Sequence, residues 1–91
     1  MNRTFNITKE NLGNDLRKIM SDPLGTVEVF LEDTDKSFLI LQFNTGKPIE
    51  DQNYDIFSVS ETLGKGVKIN ELIDIIEKDI SKDDLEPEIL S

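Results

Sequence analysis

Apolar and polar residues alternate along two neighbouring segments, 26–32 and 37–44, which predicts two β-strands. The polar stretch between them predicts the loop of a β-hairpin. We expect a three-residue loop, Asp33-Thr34-Asp35, with Glu32 opposite Lys36. Asp35 would then take the left-handed conformation that such loops often require, which aspartate tolerates better than most residues.

The register of this hairpin decides which side chains share a face, because a slip of one residue moves every side chain of a strand to the other side. In the expected register one face is wholly apolar, and its members are Val27, Val29, Leu31, Leu39, Leu41 and Phe43. A slip of one residue would bring Glu28 and Glu32 onto the face of Leu39, so we favour the first register.

The opposite face of the predicted hairpin makes Phe30 and Phe38 cross-strand neighbours, with Ile40 close by. Aromatic pairs of this kind stabilise a sheet by themselves. We expect this face either to be covered by a helix or the tail, or to remain exposed as a partner-binding or dimer surface.

The acidic hairpin loop also resembles the beginning of a calcium-binding loop, because Asp33, Asp35 and Ser37 occupy alternate positions. Such a loop needs glycine at its sixth position, a glutamate at its twelfth and helices on both sides. Counting from Asp33, these two positions are Phe38 and Asn44, and both flanks predict strands. We therefore expect a hairpin and no metal site.

Two further segments have apolar residues at helical spacing. We expect Thr8 to cap the first helix and Asn70 to cap the second. The first helical stripe is formed by Leu12, Leu16, Ile19 and Met20, and the second by Ile69, Leu72, Ile73, Ile76 and Ile80.

The remaining chain supplies two more strands and their connections. The segments RTFNIT and YDIFSVS predict strands, NTGKPIEDQN predicts a loop, and ETLGKG predicts a turn because of its two glycines. The order is therefore β-α-β-β-β-α. We expect a small two-layer α+β domain over residues 1–82, with an antiparallel meander packed against two amphipathic helices. Residues 83–91 predict an acidic, mobile tail.

Composition argues against several kinds of chemistry. The 91 residues contain no cysteine and no histidine, which removes thiolate catalysis, the commonest general base and most zinc sites. The acids lie mostly on predicted exteriors, where they are solvated. We expect no enzymatic activity and no cofactor. No apolar run approaches the ~20 residues of a membrane span, and no secretory signal is present, so we expect a cytoplasmic protein without membrane contact.

Charge carries the main functional signal in the sequence. The chain has 19 acids and 10 bases, a net charge of −9, and residues 71–91 contain eight acids and two lysines. Direct binding of nucleic acid is disfavoured because phosphate contacts need clusters of lysine and arginine. An acidic surface suits a basic partner instead. The residues expected to form it are Asp74, Glu77, Asp83, Asp84, Glu86 and Glu88.

Two functions follow from these surfaces. The first is an inhibitor that occupies a basic site on a partner, such as the groove of a nucleic-acid-binding protein or nuclease, as phage anti-defence proteins, anti-CRISPRs, nucleic-acid mimics and toxin immunity proteins do. The second is a structural or regulatory module that forms a homodimer through the apolar face of Phe30, Phe38 and Ile40. Salt separates them, because charge-driven binding weakens with salt whereas apolar burial hardly does. A chain of this composition also gains solubility from its charge alone.

Overall fold

Over the residues that the structure describes, the chain forms a small α+β domain in which five strands make one mixed sheet and two helices pack against it. A computed structural model describes residues 2–22, 25–32 and 34–89, with the backbone alone for residues 2 and 83–89. The elements, in chain order, are β1 (Asn2–Ile7), α1 (Leu12–Met20), β2 (Thr26–Leu31), β3 (Ser37–Gln42), a short 3₁₀ helix (Ile49–Asp51), β4 (Tyr54–Ser58), β5 (Glu61–Val67) and α2 (Ile69–Ile89).

The strands are ordered in space as they are along the chain, from β1 at one edge to β5 at the other. Strand β1 pairs with β2 in parallel, and α1 makes the crossover between them. From β2 to β5 every pairing is antiparallel. The α+β class and the two predicted helices are therefore confirmed. The predicted order and antiparallel meander are confirmed only in part, because the described sheet is mixed and has one strand more than the sequence predicted.

The additional strand is β5, which covers the segment predicted as a turn. Its glycines suggested chain reversal, but Gly64 instead lets α2 approach the sheet closely. A Cβ atom on Gly64 would lie 2.8 Å from the Cδ1 atom of Ile75 in α2. Gly66 has a φ of 62°, and the pairing of β4 with β5 shifts register between Tyr54 and Phe57. The prediction was wrong because these glycines do not end the strand. They lie within it, where glycine permits an irregular register and the close approach of a neighbouring element.

The predicted register of the β2–β3 hairpin is also wrong, by one residue. Val29 lies opposite Phe38 and Phe30 lies opposite Ser37. The N–H of Leu31 donates to the carbonyl of Lys36 at 3.0 Å, so the loop spans residues 32–35. Asp33 lies outside the described residues.

This longer loop has its own local hydrogen bonds. Inside it the N–H of Lys36 donates to the Thr34 hydroxyl at 3.0 Å. Asp35 is not among the residues of positive φ, which in the described chain other than glycine are Asn44 and Val59. The left-handed residue predicted for a three-residue loop is therefore not needed.

The core lies between the sheet and the two helices, and both predicted helical stripes take part in it. Within the second stripe Ile73 is only partly buried, while Asp79 joins the buried positions. The strands contribute mainly Val27, Val29, Leu31, Phe38, Ile40, Tyr54 and Ile56. Burial of these side chains supplies the main driving force for folding.

Helix α1 begins later than predicted. Its N-cap residue is Asn11, whose side chain donates to the Thr8 hydroxyl at 3.3 Å, so Thr8 supports the cap residue and is not itself the cap. The Arg17 guanidinium donates to the side-chain carbonyl of Asn70 and so links α1 to the start of α2. Helix α2 runs to Ile89, past the boundary predicted at residue 82. The division into residues 1–82 and a mobile tail of 83–91 stays a prediction.

Candidate functional site

The acidic surface predicted on the last helix is only partly described. Asp74 and Glu77 are both exposed on the outer side of α2, as their spacing predicted. Lys78 and Lys82 are exposed as well and offset part of that charge. The side chains of Asp83, Asp84, Glu86 and Glu88 lie outside the described residues, so their contribution to a surface stays a prediction.

The apolar surface predicted from the hairpin does not exist as a unit, because the register differs. Phe38 and Ile40 are 1% and 0% exposed, respectively, and belong to the core. Phe30 points to the opposite side of the sheet and is 38% exposed. The structure therefore separates Phe30 from Phe38 and Ile40, and the expected cross-strand pair of phenylalanines is wrong.

A different apolar surface lies on the side of the sheet away from the helices. We call it the open face, and define it by Glu28, Phe30, Leu39, Leu41, Phe43 and Phe57. Leu39 is opposite both Glu28 on β2 and Phe57 on β4, so these three form one row across the sheet. Phe30, Leu39 and Phe43 are each exposed by 37–44%. Large apolar side chains exposed together on one face are typical of interaction surfaces.

The open face contains a shallow depression of about 320 Å³ at its β2–β4 end. It is lined by both kinds of group: the Glu28 carboxylate and the Ser37 hydroxyl are polar, and Phe38, Leu39, Phe57 and Val59 are apolar. An anionic group within an apolar surface suits the side chain of a lysine or arginine, whose stem packs on apolar atoms while its charged end reaches the carboxylate.

Val59 extends this surface at the tip of the β4–β5 hairpin. It is 97% exposed and has a φ of 36°, and together with Ser60 it connects Ser58 to Glu61. A β-branched residue with positive φ is uncommon because its side chain crowds the backbone, and glycine usually takes this position. Backbone strain of this kind is concentrated at functional sites.

The β2–β3 hairpin is joined to α2 by an ion pair next to its loop. The Lys36 ammonium lies 2.9 Å from the Asp79 carboxylate and also donates to the Asp79 carbonyl at 3.3 Å. The side chain of Asp79 is only 10% exposed. Sequence reasoning missed this contact, although Asp79 follows Ile76 by three residues and so falls on the buried side of the helical pattern.

Two buried glutamines hold the long loop between β3 and β4. The Gln42 amide nitrogen donates to the side-chain oxygen of Gln52 at 2.7 Å, and the Gln52 amide donates to the Lys47 carbonyl at 2.9 Å. The side-chain oxygen of Gln42 accepts from the Gly25 N–H at 3.3 Å. These bonds satisfy polar groups that would otherwise be costly to bury, and they position the chain that leads into Phe43 on the open face.

Tyr54 lies below this loop with its ring fully buried. Among the described residues its hydroxyl is the buried side-chain polar atom that has no hydrogen-bond partner. Burial raises the pKa of Tyr54 above its ordinary value of 10.0, and the negative charge of Glu50 raises it further. The phenol is therefore neutral at physiological pH, and the charged form is strongly disfavoured.

In the described part of the chain no three acidic side chains come together in the manner of a metal site. The same part contains no helix that is both long and apolar enough to cross a membrane. Compared with protein-family models, with curated proteins and with solved structures, the chain has no significant match.

Proposed function

We propose that this protein is a non-enzymatic inhibitor that binds another protein at a basic site. Its partner belongs to the class of nucleic-acid-binding proteins or nucleases, and its role is of the anti-defence, anti-CRISPR or immunity-protein type. The observation that carries the proposal is the open face, where Phe30, Leu39 and Phe43 are exposed and Glu28 lies opposite Leu39, on an otherwise well-packed domain. Apolar anchors of this kind supply most of the affinity in protein interfaces.

The charge of the chain defines the partner's chemistry. With a net charge of −9 the protein repels acidic surfaces and attracts basic ones. Charges at the rim of an interface act chiefly on the association rate, whereas buried apolar contacts slow dissociation. We assign the first role to Asp74 and Glu77 together with the acids at 83–88, and the second to the open face.

Glu28 also distinguishes this function from the alternative, a homodimer that pairs two sheet faces. That alternative is favoured by the exposure of Phe30, Leu39 and Phe43. A symmetric face-to-face pair, however, would bring two Glu28 carboxylates into one apolar interface, where neither finds a counter-charge. Burying unpaired charges is costly, so a basic partner fits this face better than a second copy does.

The proposal is tested by capturing the partner from the native host, identifying it, and measuring the Kd with purified proteins over a salt series. We expect Leu39→Ser to weaken binding by about tenfold or more, since it removes an apolar anchor. Glu28→Gln should weaken binding and also reduce its salt dependence. The matched control is Glu71→Gln, an exposed acid on α2, which should change the affinity by less than about threefold.

A second variant distinguishes the contribution of the open face from that of the acidic residues on α2. Neutralising Asp83, Asp84, Glu86 and Glu88 to Asn or Gln should slow association at low salt while leaving dissociation unchanged. Full affinity in Leu39→Ser would remove the open face from the mechanism, and full low-salt affinity in the helix variant would remove the acidic surface. If both variants kept full affinity, the proposed function would be overturned.

A further inference from the structure

The two edges of the sheet are protected to different degrees. At the β5 edge the pairing is irregular, Gly66 has a left-handed conformation and Lys65 is exposed. At the β1 edge the register with β2 is unbroken over all six residues from Asn2 to Ile7. Bulges and lysines prevent an edge strand from pairing with other chains, and a regular strand without them is a ready template for such pairing.

The direction of the backbone groups along β1 follows from one hydrogen bond. The carbonyl of Ile7 accepts from the Glu32 N–H at 2.8 Å, just beyond β2, so the backbone N–H and C=O groups of Ile7 point toward β2. Because these directions alternate along a strand, the backbone groups of Phe5 point toward β2 as well, whereas those of Thr4 and Asn6 point outward. No strand of the described chain lies on that side, since β1 ends the sheet.

A cleft of about 480 Å³ follows this edge on the helical side of the sheet. Strand β1 and helix α1 form its two walls. Its apolar lining comes from Phe5, Ile7 and Ile19, while Asp15 and Asp22 place carboxylates in the wall formed by α1 and the segment after it, with Lys18 between them. A strand added to β1 would therefore place alternate side chains in a cleft that is apolar at its base and acidic along one wall.

We propose that the occupant is β1 of a second copy, added antiparallel about a two-fold axis at Phe5. Thr4 of each copy then lies opposite Asn6 of the other, and their outward N–H and C=O groups form the new ladder. Phe5 meets Phe5 of the second copy as a non-hydrogen-bonded pair, in which side chains approach most closely. The two five-stranded sheets become one continuous sheet.

Charge complementarity favours a second copy over an arbitrary extended segment. Pairing about a two-fold axis at Phe5 also places Arg3 of each copy opposite Ile7 of the other. Arg3 shares the helical side of β1 with Phe5 and Ile7, so its guanidinium is delivered to the cleft that carries Asp15 and Asp22 of the other copy. Each copy thus supplies the arginine on β1 and the carboxylates of the cleft, and the two-fold axis forms each contact twice. Guanidinium and carboxylate groups pair with strong, directional hydrogen bonds.

The inference is independent of the proposed function, because edge pairing leaves the open face of each copy uncovered. In the dimer the two open faces lie side by side on one sheet surface. Face-to-face association and edge association are therefore different assemblies, and the residues that control them do not overlap.

The experiment is analytical ultracentrifugation of the purified full chain from about 1 µM to about 1 mM, a range that covers weak to moderate dimers. We expect a concentration-dependent shift from the monomer mass to twice that mass. Asn6→Pro removes one outward N–H without touching the pairing with β2, and should leave a monomer. The matched control is Thr62→Pro on the β5 edge, which should dimerise like the parent.

A charge exchange keeps the test independent of any folding defect in the proline variant. Arg3→Glu should weaken dimerisation by about tenfold or more, because like charges then meet in the cleft. Adding Asp15→Lys and Asp22→Lys to Arg3→Glu should restore it. Amide exchange provides a local readout, since Thr4 and Asn6 should become protected only at concentrations where the dimer forms.

A parent that stays monomeric over the whole range would overturn the proposal. So would a dimer whose stability is unchanged by Arg3→Glu, or one in which the amides of Thr4 and Asn6 exchange as fast as in the monomer. If Leu39→Ser abolished the dimer while Arg3→Glu did not, the assembly would be face to face.

Discussion

The Lys36 ammonium contacts both the carboxylate and the carbonyl of Asp79, and this joins the loop between β2 and β3 to the middle of α2. The two residues are 43 positions apart in the sequence. The carboxylate is largely shielded from water, so its attraction to the ammonium is screened less than at the surface. The pair therefore fixes where the hairpin lies against the helix.

Asp79→Asn should cost about 1–3 kcal/mol of unfolding free energy, between the near-zero value of exposed pairs and the larger value of fully buried ones. Lys36→Met should cost a similar amount because it leaves the shielded carboxylate without its main counter-charge. Denaturant unfolding of both single variants and the double variant gives the coupling energy. The control is Glu77→Gln, an exposed acid on the same helix, which should change stability by under about 0.5 kcal/mol. A coupling energy near zero would show that the pair contributes nothing.

The core of α2 is tested by truncating two neighbouring isoleucines. Ile76 is fully buried, whereas Ile73 is partly exposed at the margin of the core. Ile76→Ala should therefore cost about 2–5 kcal/mol as a cavity in a close-packed site, and Ile73→Ala clearly less. The sequence pattern alone assigns Ile73→Ala the same cost of about 2–5 kcal/mol, because it places both residues on one stripe. Equal costs in denaturant unfolding would contradict the packing described for α2.

The two helices could be predicted because their apolar residues recur at helical spacing. Four of the five strands could be predicted because their segments are rich in β-branched and aromatic residues and lie between turn signals. The hairpin register could not, since β3 is apolar at both parities: Phe38 and Ile40 on one side, Leu39 and Leu41 on the other. The choice between them depends on tertiary contacts. Gln42 shares the buried side with Phe38, and its amide is satisfied only by groups brought from elsewhere in the fold, including Gln52.

The candidate sites divide in the same way. Exposure of Asp74 and Glu77 follows from helical period, and it was predictable. The open face depends on the register and on the fact that both helices pack on one side, so its members could not be read from the sequence. The predicted register placed Glu28 and Leu39 on different faces of the hairpin, whereas Glu28 lies directly opposite Leu39 on the open face.

Because α2 lies close to β5 at Gly64, we expect a second substitution, at Ile75, to reduce the cost of adding a side chain at Gly64. An added Cβ would lie 2.8 Å from Ile75 Cδ1 and 3.3 Å from Val67 Cγ1, so the isoleucine tip must move. Gly64→Ala should lower the unfolding free energy by about 1 kcal/mol, at the low end of overpacking costs, because the atom contacted is the end of a flexible side chain. Ile75→Val removes the methyl group that is contacted, so the double variant should be more stable than the sum of the single effects predicts. Strict additivity in thermal or denaturant unfolding would contradict this contact.

Tyr54 predicts a specific dependence of stability on pH. Its pKa is raised above 10.0 by burial and then by Glu50, so the folded protein retains the phenolic proton where the unfolded chain begins to lose it. Stability therefore falls as pH rises through about 10 and beyond, because the folded state then binds more protons than the unfolded one. Tyr54→Phe cannot show this loss. Since the hydroxyl has no hydrogen-bond partner, its removal should cost less than about 1 kcal/mol of unfolding free energy near neutral pH.

Denaturant unfolding of both proteins at pH about 8 and about 11 should show the parent losing stability relative to the Tyr54→Phe variant. A constant difference between the two proteins would mean that the phenol titrates alike in the folded and unfolded states.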